Sequence, residues 1–384
     1  MRTPRLGVRG RKQRLDVSTI AGVPCDTEMS MAEINLLSPG RIGDFDTKNR
    51  IVMAPMTRSR ALPQGVPSDL AIEYYGQRAS AGLIITEGIA PSAGGLGYAR
   101  TPAIENAAQV AAWKKITNAV HAKGGRMFAQ FMHVGRIGHA SNRYTDEALV
   151  APSAVRAAGQ MWTDALGMQD LGMPRALETH EIPLVTEQYA TATRNAIAAG
   201  FDGVELHSAS GYLPMQFLSS NTNQRTDHYG GPVQNRIRFV VEVLEAMSQA
   251  AGSPSKVGIK ISPAMPFNDI NDANPLETYT TLVKAISPMG LGYLHVLRSA
   301  PLPDIFAILR PLFKGPFAAG GGFTRESGDA ALKSGEADFI VFGKLFTSNP
   351  DLPVRFAQSA ALVAPDPNTF YSPGAKGYTD FAVL

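Results

Sequence analysis

From about residue 50 onward, short apolar runs alternate with longer segments whose apolar residues recur at helical spacing. Eight runs have the length and composition of buried strands: Ile51–Met56, Gly82–Glu87, Arg126–Met132, Gly203–His207, Val257–Ser262, Gly292–Leu297, Phe317–Gly321 and Asp338–Gly343. Between them, helical spacing predicts helices over Leu70–Ser80, Ala107–Ala122, Glu187–Ala199, Pro232–Ala250, Glu277–Ser287 and Arg325–Ser334. Strand–helix alternation of this kind predicts βαβ units and a parallel sheet. Eight repeats favour an α/β fold closed into a (β/α)8 TIM barrel over an open doubly wound sheet.

Two stretches fall outside the repeat. Residues 34–49 contain Pro39-Gly40-Arg41-Ile42-Gly43, a turn with flanking apolar residues, which predicts an N-terminal hairpin lid closing the barrel bottom. Residues 134–185, between the third strand and the third helix, are long and carry Gly, Pro, Ser and Ala throughout. An insertion of that size predicts a functional excursion over the mouth of the barrel.

Composition narrows the classes. Hydrophobic residues make up 44% and charged residues 18%, which suits a large core and argues against global disorder. No apolar run approaches the ~18 residues a membrane span needs. The single cysteine, Cys25, excludes an intrachain disulfide, a Cys-rich zinc site and a Cys-ligated iron–sulfur cluster, so no metal is expected. It also suits a reducing compartment, and the expected location is the cytoplasm. The formal charge of +3 resides in the N-terminal tail, where residues 1–30 hold six cations and three acids, leaving 30 of each sign in residues 31–384. The body therefore shows no net bias toward nucleic acid. Residues 1–33 lack a signal-peptide core and an amphipathic pattern. They are read as a disordered extension, or as a start placed ahead of Met31, in preference to an organelle transit peptide. Residues 34–384 are then the barrel domain.

In a barrel of this kind, chemistry sits at the C-terminal ends of the strands and in the loops after them. Strand one ends in Pro55-Met56-Thr57-Arg58 and strand two in Thr86-Glu87-Gly88. Strand three carries Gln130 and His133, strand four runs into His207-Ser208-Ala209-Ser210-Gly211-Tyr212, and strand five carries Lys260. Strand seven runs into Gly320-Gly321-Gly322 and strand eight ends in Gly343-Lys344. The loops after strands seven and eight are the usual phosphate site of the fold. Glycines there let backbone N–H groups approach an anion, and Lys344 adds a full positive charge. A glycine triplet alone also fits a tight turn; its pairing with Gly343-Lys344 favours phosphate.

With these strand ends in view, the chain resembles the Old Yellow Enzyme family of FMN-dependent ene-reductases. The matching stretches are Asn49–Arg58 (NRIVMAPMTR), Gln130–Arg136 (QFMHVGR), Val204–His207 (VELH), Gly211–Leu213, Gln216–Leu218, Asn223–Asp227 (NQRTD), Tyr229–Gly231, Asn235-Arg236, Asn349–Asp351 and Gly377–Asp380 (GYTD). They run in order from about Leu36 to Leu384. Thr57 points to the branch with threonine there, not the thermophile-typified branch with cysteine.

The resemblance implies FMN, with NADPH or NADH as reductant and an electrophilic alkene, an α,β-unsaturated carbonyl or nitro compound, as the small-molecule partner. It implies that Pro55, Met56, Thr57, Gly88 and Gln130 line the isoalloxazine, that Thr57 bonds the flavin O4, and that Gly321, Gly322, Gly343 and Lys344 hold the phosphate. Lys260 stands where the family usually has arginine, beneath the N1–C2=O edge; it keeps the charge and loses the planar fork. His207 and Ser210 would hold the substrate oxygen, Ser210 standing where the family has His or Asn, so that a direct bond is lost or replaced by water. Tyr212 matches the proton donor to the α-carbon. Tyr98 would reach over the flavin toward substrate, and Met132 stands where relatives have an aromatic residue. His133, Arg225-Thr226-Asp227 and Asn235-Arg236 are read as architecture. The family spans monomers and larger assemblies, so a monomer or homodimer is expected. Alternatives on the same site are reduction of nitro compounds or nitrate esters and NAD(P)H oxidation by oxygen. A barrel that binds FMN without turnover is a further alternative, disfavoured by the retention of His207 and Tyr212.

Overall fold

Alternating side chains along eight short strands decide the architecture, because each strand must bury both faces. The computed structural model describes residues 1–2 and 34–384, so the reading of residues 3–33 lies outside the described residues. The strands are β1 (Ile51–Met53), β2 (Leu83–Ile89), β3 (Met127–Phe131), β4 (Gly203–Ser208), β5 (Val257–Ile261), β6 (Tyr293–Leu297), β7 (Phe317–Gly320) and β8 (Phe339–Phe342). They pair in parallel, each with the next, and β8 returns to β1 through Ile340↔Ile51 and Phe342↔Met53 to close the barrel. Each falls within or beside one of the runs expected from the sequence.

Outward-facing residues such as Ile51, Ile84, Met127, Ala129, Val204, Leu206, Ile259 and Leu294 pack against the helices in one large core. The alternate residues point inward. Val52, Leu83, Ile85, Phe128, Tyr293, Ala318, Phe339 and Val341 fill the lower barrel, and Ile42 joins them from below. One step higher the inward positions turn polar: Gln130, Glu205, Lys260 and His295, all buried. The barrel is thus apolar at its floor and charged under its mouth, which is where layered barrels place chemistry.

The helices are α1 (Leu70–Gln77), α2 (Ala107–His121), α3 (Ile182–Ala198), α4 (Arg238–Ala251), α5 (Pro275–Ile286), α6 (Ile305–Leu309), α7 (Arg325–Lys333) and α8 (Leu352–Gln358). Local chemistry sets several ends. Asn106 caps α2 by accepting from the backbone N–H groups of Ala108 and Gln109, and α4 stops at Gly252 with φ +76°. The expected helix over 232–250 is two pieces, Val233–Arg236 and α4, with Ile237 between them. α3 begins five residues earlier than its periodicity suggests, with a proline in its first turn. α6, α8 and the short helices Leu213–Leu218 and Lys344–Ser348 were not predicted; each has seven residues or fewer, too few to establish a helical repeat.

The N-terminal hairpin is present, with a narrower turn. Gly40–Ile42 pairs with Phe45–Thr47, so Gly43 and Asp44 form the two-residue turn and Gly40 begins a strand. Gly43 has φ +52°, and a Cβ there would meet the Ser255 carbonyl oxygen at 2.1 Å, which leaves room only for glycine. The excursion between β3 and α3 carries an antiparallel hairpin, Gln160–Thr163 with Gly167–Asp170. Its Leu149, Ala157, Met161 and Leu171 pack with Met132, Tyr98 and Tyr212, so it leans on the C-terminal face of the barrel.

The chain's last segment is tied to the same face by two buried arginines. Arg58 donates through Nη2 to the Gly377 carbonyl at 2.7 Å, and Arg60 donates to the carbonyls of Thr369, Gly374 and Lys376. Tyr378 stacks on Tyr74 with ring centroids 4.0 Å apart. Beside this knot, burial pushes the Glu87 carboxyl up to about 7, against the opposing hydrogen bond from the Arg58 backbone N–H. A carboxyl held protonated by the fold gives stability that is full below its ordinary range near 4.5 and lost as pH rises through about 7. Wild-type stability, measured against Glu87→Gln by urea unfolding, is therefore expected to fall by up to about 3 kcal/mol between pH 5 and pH 8. Parallel profiles for the two proteins would contradict this.

Candidate active site

A cavity of about 1200 Å³ opens at the C-terminal ends of the strands. Pro55, Met56 and Thr57 line it after β1, Gly88 on β2, Gln130 on β3, His207 on β4, Lys260 on β5, Gly321 and Gly322 after β7, and Gly343 and Lys344 after β8. Ser210 and Tyr212 reach it from the turn that follows β4. Among the expected site residues only Tyr98 is off the wall. It sits behind Tyr212, which donates to the Tyr98 hydroxyl at 3.2 Å, with the two rings edge to face. Packing against the excursion holds Tyr98 in that place.

The β4 turn aims three polar groups into one corner. His207 is fully desolvated, and burial, followed by the Lys260 charge, drives its pKa well below the ordinary histidine range. The imidazole is therefore neutral at pH 7. Its Nδ1 accepts from the Ala209 backbone N–H at 3.3 Å, which puts the proton on Nε2. Tyr212 stands edge to face with His207, ring centroids 4.8 Å apart. Burial, then the neighbouring Tyr98, pushes its phenol well above 10, so it stays protonated. Ser210 adopts φ +55°. Its backbone is pinned on both sides: its N–H donates to Ser262 Oγ at 2.9 Å, and its carbonyl accepts from Asn268 Nδ2 at 2.8 Å. Among the described residues its hydroxyl has only the Met265 sulfur, at 3.9 Å, as acceptor, so a stronger partner can still claim it.

The rest of the cavity suits a flat ring system ending in a phosphate. Lys260 is buried, its ammonium faces the cavity, and no ion pair reaches it among the described residues. Thr57 likewise has no side-chain hydrogen bond within the described chain, leaving its hydroxyl for a ligand. A Cβ at Gly88 would lie 2.7–2.9 Å from Met132, so only glycine lets that strand end and Met132 share the wall. Gly321 and Gly322 have φ +128° and +83°, and a Cβ on Gly322 would meet nothing, so their backbone requires glycine while the space beside Gly322 stays open. Lys344 and Arg325 flank them on the wall. Backbone N–H groups, open space and two cations are what an FMN phosphate needs. Among the described residues no cluster of His, Cys, Asp and Glu is placed to hold a metal ion.

Sequence reasoning missed several wall residues. His295 lines the cavity from β6, whose run reads as purely apolar packing unless the alternate position is followed inward. Arg325 follows the glycine triplet closely enough for its spacing to have pointed to it. Phe267, Phe370 and Tyr371 come from loops with no local signal, the last two carried in by the Arg58–Arg60 knot. His133, buried and neutral, accepts from the Gly135 N–H in a turn. Arg225 binds Asp227, and Arg236 donates to the carbonyls of Leu218 and Gly231. All three are built into the scaffold.

A closed parallel barrel whose last two strands run into glycine loops lining one cavity, with a lysine, a histidine and a tyrosine on the same wall, is the architecture of a flavin-barrel oxidoreductase. The chain belongs to the NADH:flavin oxidoreductase / NADH oxidase family, whose model matches residues 35–362. It is 39% identical over 361 residues to 12-oxophytodienoate reductase 2 of Arabidopsis thaliana, covering 91% of this chain and 96% of that protein. Among solved structures, morphinone reductase in complex with tetrahydroNAD superposes with a TM-score of 0.87 at 42% identity, covering 91% of this chain and 98% of the other. An Old Yellow Enzyme homologue from Zymomonas mobilis superposes with a TM-score of 0.88 at 40% identity, covering 91% and 100%.

Proposed function

We propose that the protein is an FMN-dependent oxidoreductase that takes hydride from NADH or NADPH and reduces the C=C bond of activated alkenes. One observation carries the reading: His207 and Tyr212 stand side by side on the wall of the same cavity that Gly321, Gly322, Gly343 and Lys344 line. Bound FMN would supply the hydride relay from nicotinamide to alkene. Pro55, Met56, Gly88 and Gln130 would hold the ring system, Thr57 would bond its carbonyl edge, and Lys260 would stabilise negative charge collecting on the opposite edge. Gly321, Gly322, Gly343 and Lys344 would hold the phosphate.

His207 would donate its Nε2–H to the substrate's carbonyl or nitro oxygen. The Ser210 hydroxyl, directly or through a water, would be the second donor. Negative charge developing on that oxygen as hydride adds at the β-carbon is thereby stabilised. Tyr212 would then pass its proton to the α-carbon, and Tyr98 would orient the phenol from behind. The protein works on a small molecule, and among the described residues no helix is long and apolar enough to cross a membrane. Its single cysteine suits the reducing cytoplasm, and a monomer or homodimer is the proposed form.

The test is spectroscopic. Purified protein is expected to be yellow, to bleach anaerobically with NADPH or NADH, and to regain colour on addition of 2-cyclohexenone. Protein that is colourless and cannot be reconstituted with FMN overturns the reading. Protein that bleaches but is reoxidised only by nitro compounds, nitrate esters or oxygen moves it to those acceptors.

A further inference from the structure

Glu205 is the one carboxylate in the polar layer beneath the mouth, and the chemistry described so far makes no use of it. It is fully buried on β4, facing into the barrel. Its Oε1 accepts from Gln130 Nε2 at 2.7 Å, and its Oε2 pairs with His295 Nδ1 at 3.0 Å. Both partners line the cavity; Glu205 itself does not. The strand register explains the cluster. Glu205 lies opposite Gln130 on β3, and two residues further along the same strand His207 lies opposite Lys260 on β5, which in turn lies opposite His295 on β6. Four neighbouring strands therefore turn Gln130, Glu205, His207, Lys260 and His295 toward one another.

Desolvation is the largest influence on both Lys260 and His295 and disfavours their charged forms, and in each case Glu205 is what opposes it. A buried carboxylate is costly, and in the layer below, Phe128 and Phe339 fill the same barrel with apolar rings. Packing alone would be served by an apolar residue at this position too.

We propose that Glu205 is a positioning residue of the flavin site: it fixes the orientation of Gln130 and His295 and supplies the negative charge that offsets Lys260, and so sets the reduction potential of bound flavin. The inference rests on the FMN reading above. Glu205 opposes the desolvation of Lys260 and offsets its charge beneath the ring. Reduction of the ring is then favoured less than it would be over an uncompensated lysine.

The experiment measures the potential of bound FMN by dye equilibration in wild type, Glu205→Gln and Glu205→Asp. The glutamine keeps the shape and one of the two accepting oxygens and removes the charge; the aspartate keeps the charge and shortens the reach. The expected result is a positive shift in Glu205→Gln and a near-wild-type value in Glu205→Asp. A potential unchanged in Glu205→Gln, or moved equally by both substitutions, overturns the proposal and leaves Glu205 a packing residue. A wild-type measurement needs no variant to fold: with ¹⁵N-labelled histidine, His295 is expected to carry a proton on Nδ1, donated to Glu205 Oε2, and an Nδ1 without a proton overturns the proposal. This second readout works in protein without FMN, so failure of the flavin reading and failure of the Glu205 inference are told apart.

Discussion

Tyr212→Phe is expected to slow reoxidation of the reduced enzyme by an enone by about 10²-fold or more, the usual worth of a positioned general acid. Reduction by NADPH should change by less than about twofold, because that half-reaction moves hydride without a proton from the phenol. The structure makes the two steps separable. Tyr212 lines the cavity beside His207, remote in sequence from the glycine loops after β7 and β8. Its phenol is buried and held well above 10, so it is available as an acid throughout the ordinary working range. The wild-type reoxidation rate should accordingly be flat between about pH 6 and 9, with no limb from this group. Stopped-flow absorbance of the flavin band under anaerobic conditions reads both half-reactions. If the phenylalanine variant keeps its enone rate, the proton comes from Tyr98 or solvent, and the role given to Tyr212 is wrong.

His207→Ala is the second large effect. The neutral imidazole is a preset donor: Nδ1 is occupied as an acceptor from Ala209, so the Nε2 proton faces the cavity without reorganisation. Removing one such donor from a developing oxyanion costs about 10²–10³-fold in rate. The loss should appear in enone reoxidation and enone binding together, with FMN retained.

The same geometry predicts a gain at the neighbouring position. Ser210 sits at φ +55°, a conformation asparagine tolerates better than most residues. Ser210→Asn would extend an amide toward the substrate oxygen without disturbing the backbone bonds to Ser262 and Asn268. One added net hydrogen bond should raise enone turnover by about threefold to tenfold. No gain would mean that the serine hydroxyl, or a water on it, already serves as the second donor.

Much of this site was legible in advance, for reasons visible at particular residues. Thr57, Gln130, His207 and Lys344 lie at strand ends, and in a parallel barrel every strand end faces the same cavity, so finding the strands nearly finds the site. What stayed hidden lies across strands or in loops. His295 sits in a run that reads as packing, and only the barrel's closure shows that its side chain points inward at a carboxylate 90 residues away. The resemblance implies that Tyr98 reaches over the flavin, yet the excursion that packs on it determines that it backs Tyr212 instead of facing the cavity. The turn expected over Pro39–Gly43 narrows to Gly43-Asp44, where the Ser255 carbonyl, far along the chain, leaves no room for a side chain at Gly43.

By itself the sequence determined the strand and helix repeat, the closed barrel and the place of the glycine loops after β7 and β8, because these depend on side-chain period and on residues a few positions apart, which a linear chain records directly. The roles given to His207 and Tyr212 came from the family resemblance. The tertiary structure alone decided which tautomer His207 presents, that the Ser210 hydroxyl meets the Met265 sulfur, how Arg58 and Arg60 bring Phe370 and Tyr371 to the mouth, and that Glu205 joins Gln130 to His295. Each of those is a contact between distant segments, set by strand register and desolvation inside the barrel, and neither quantity exists until the barrel has closed.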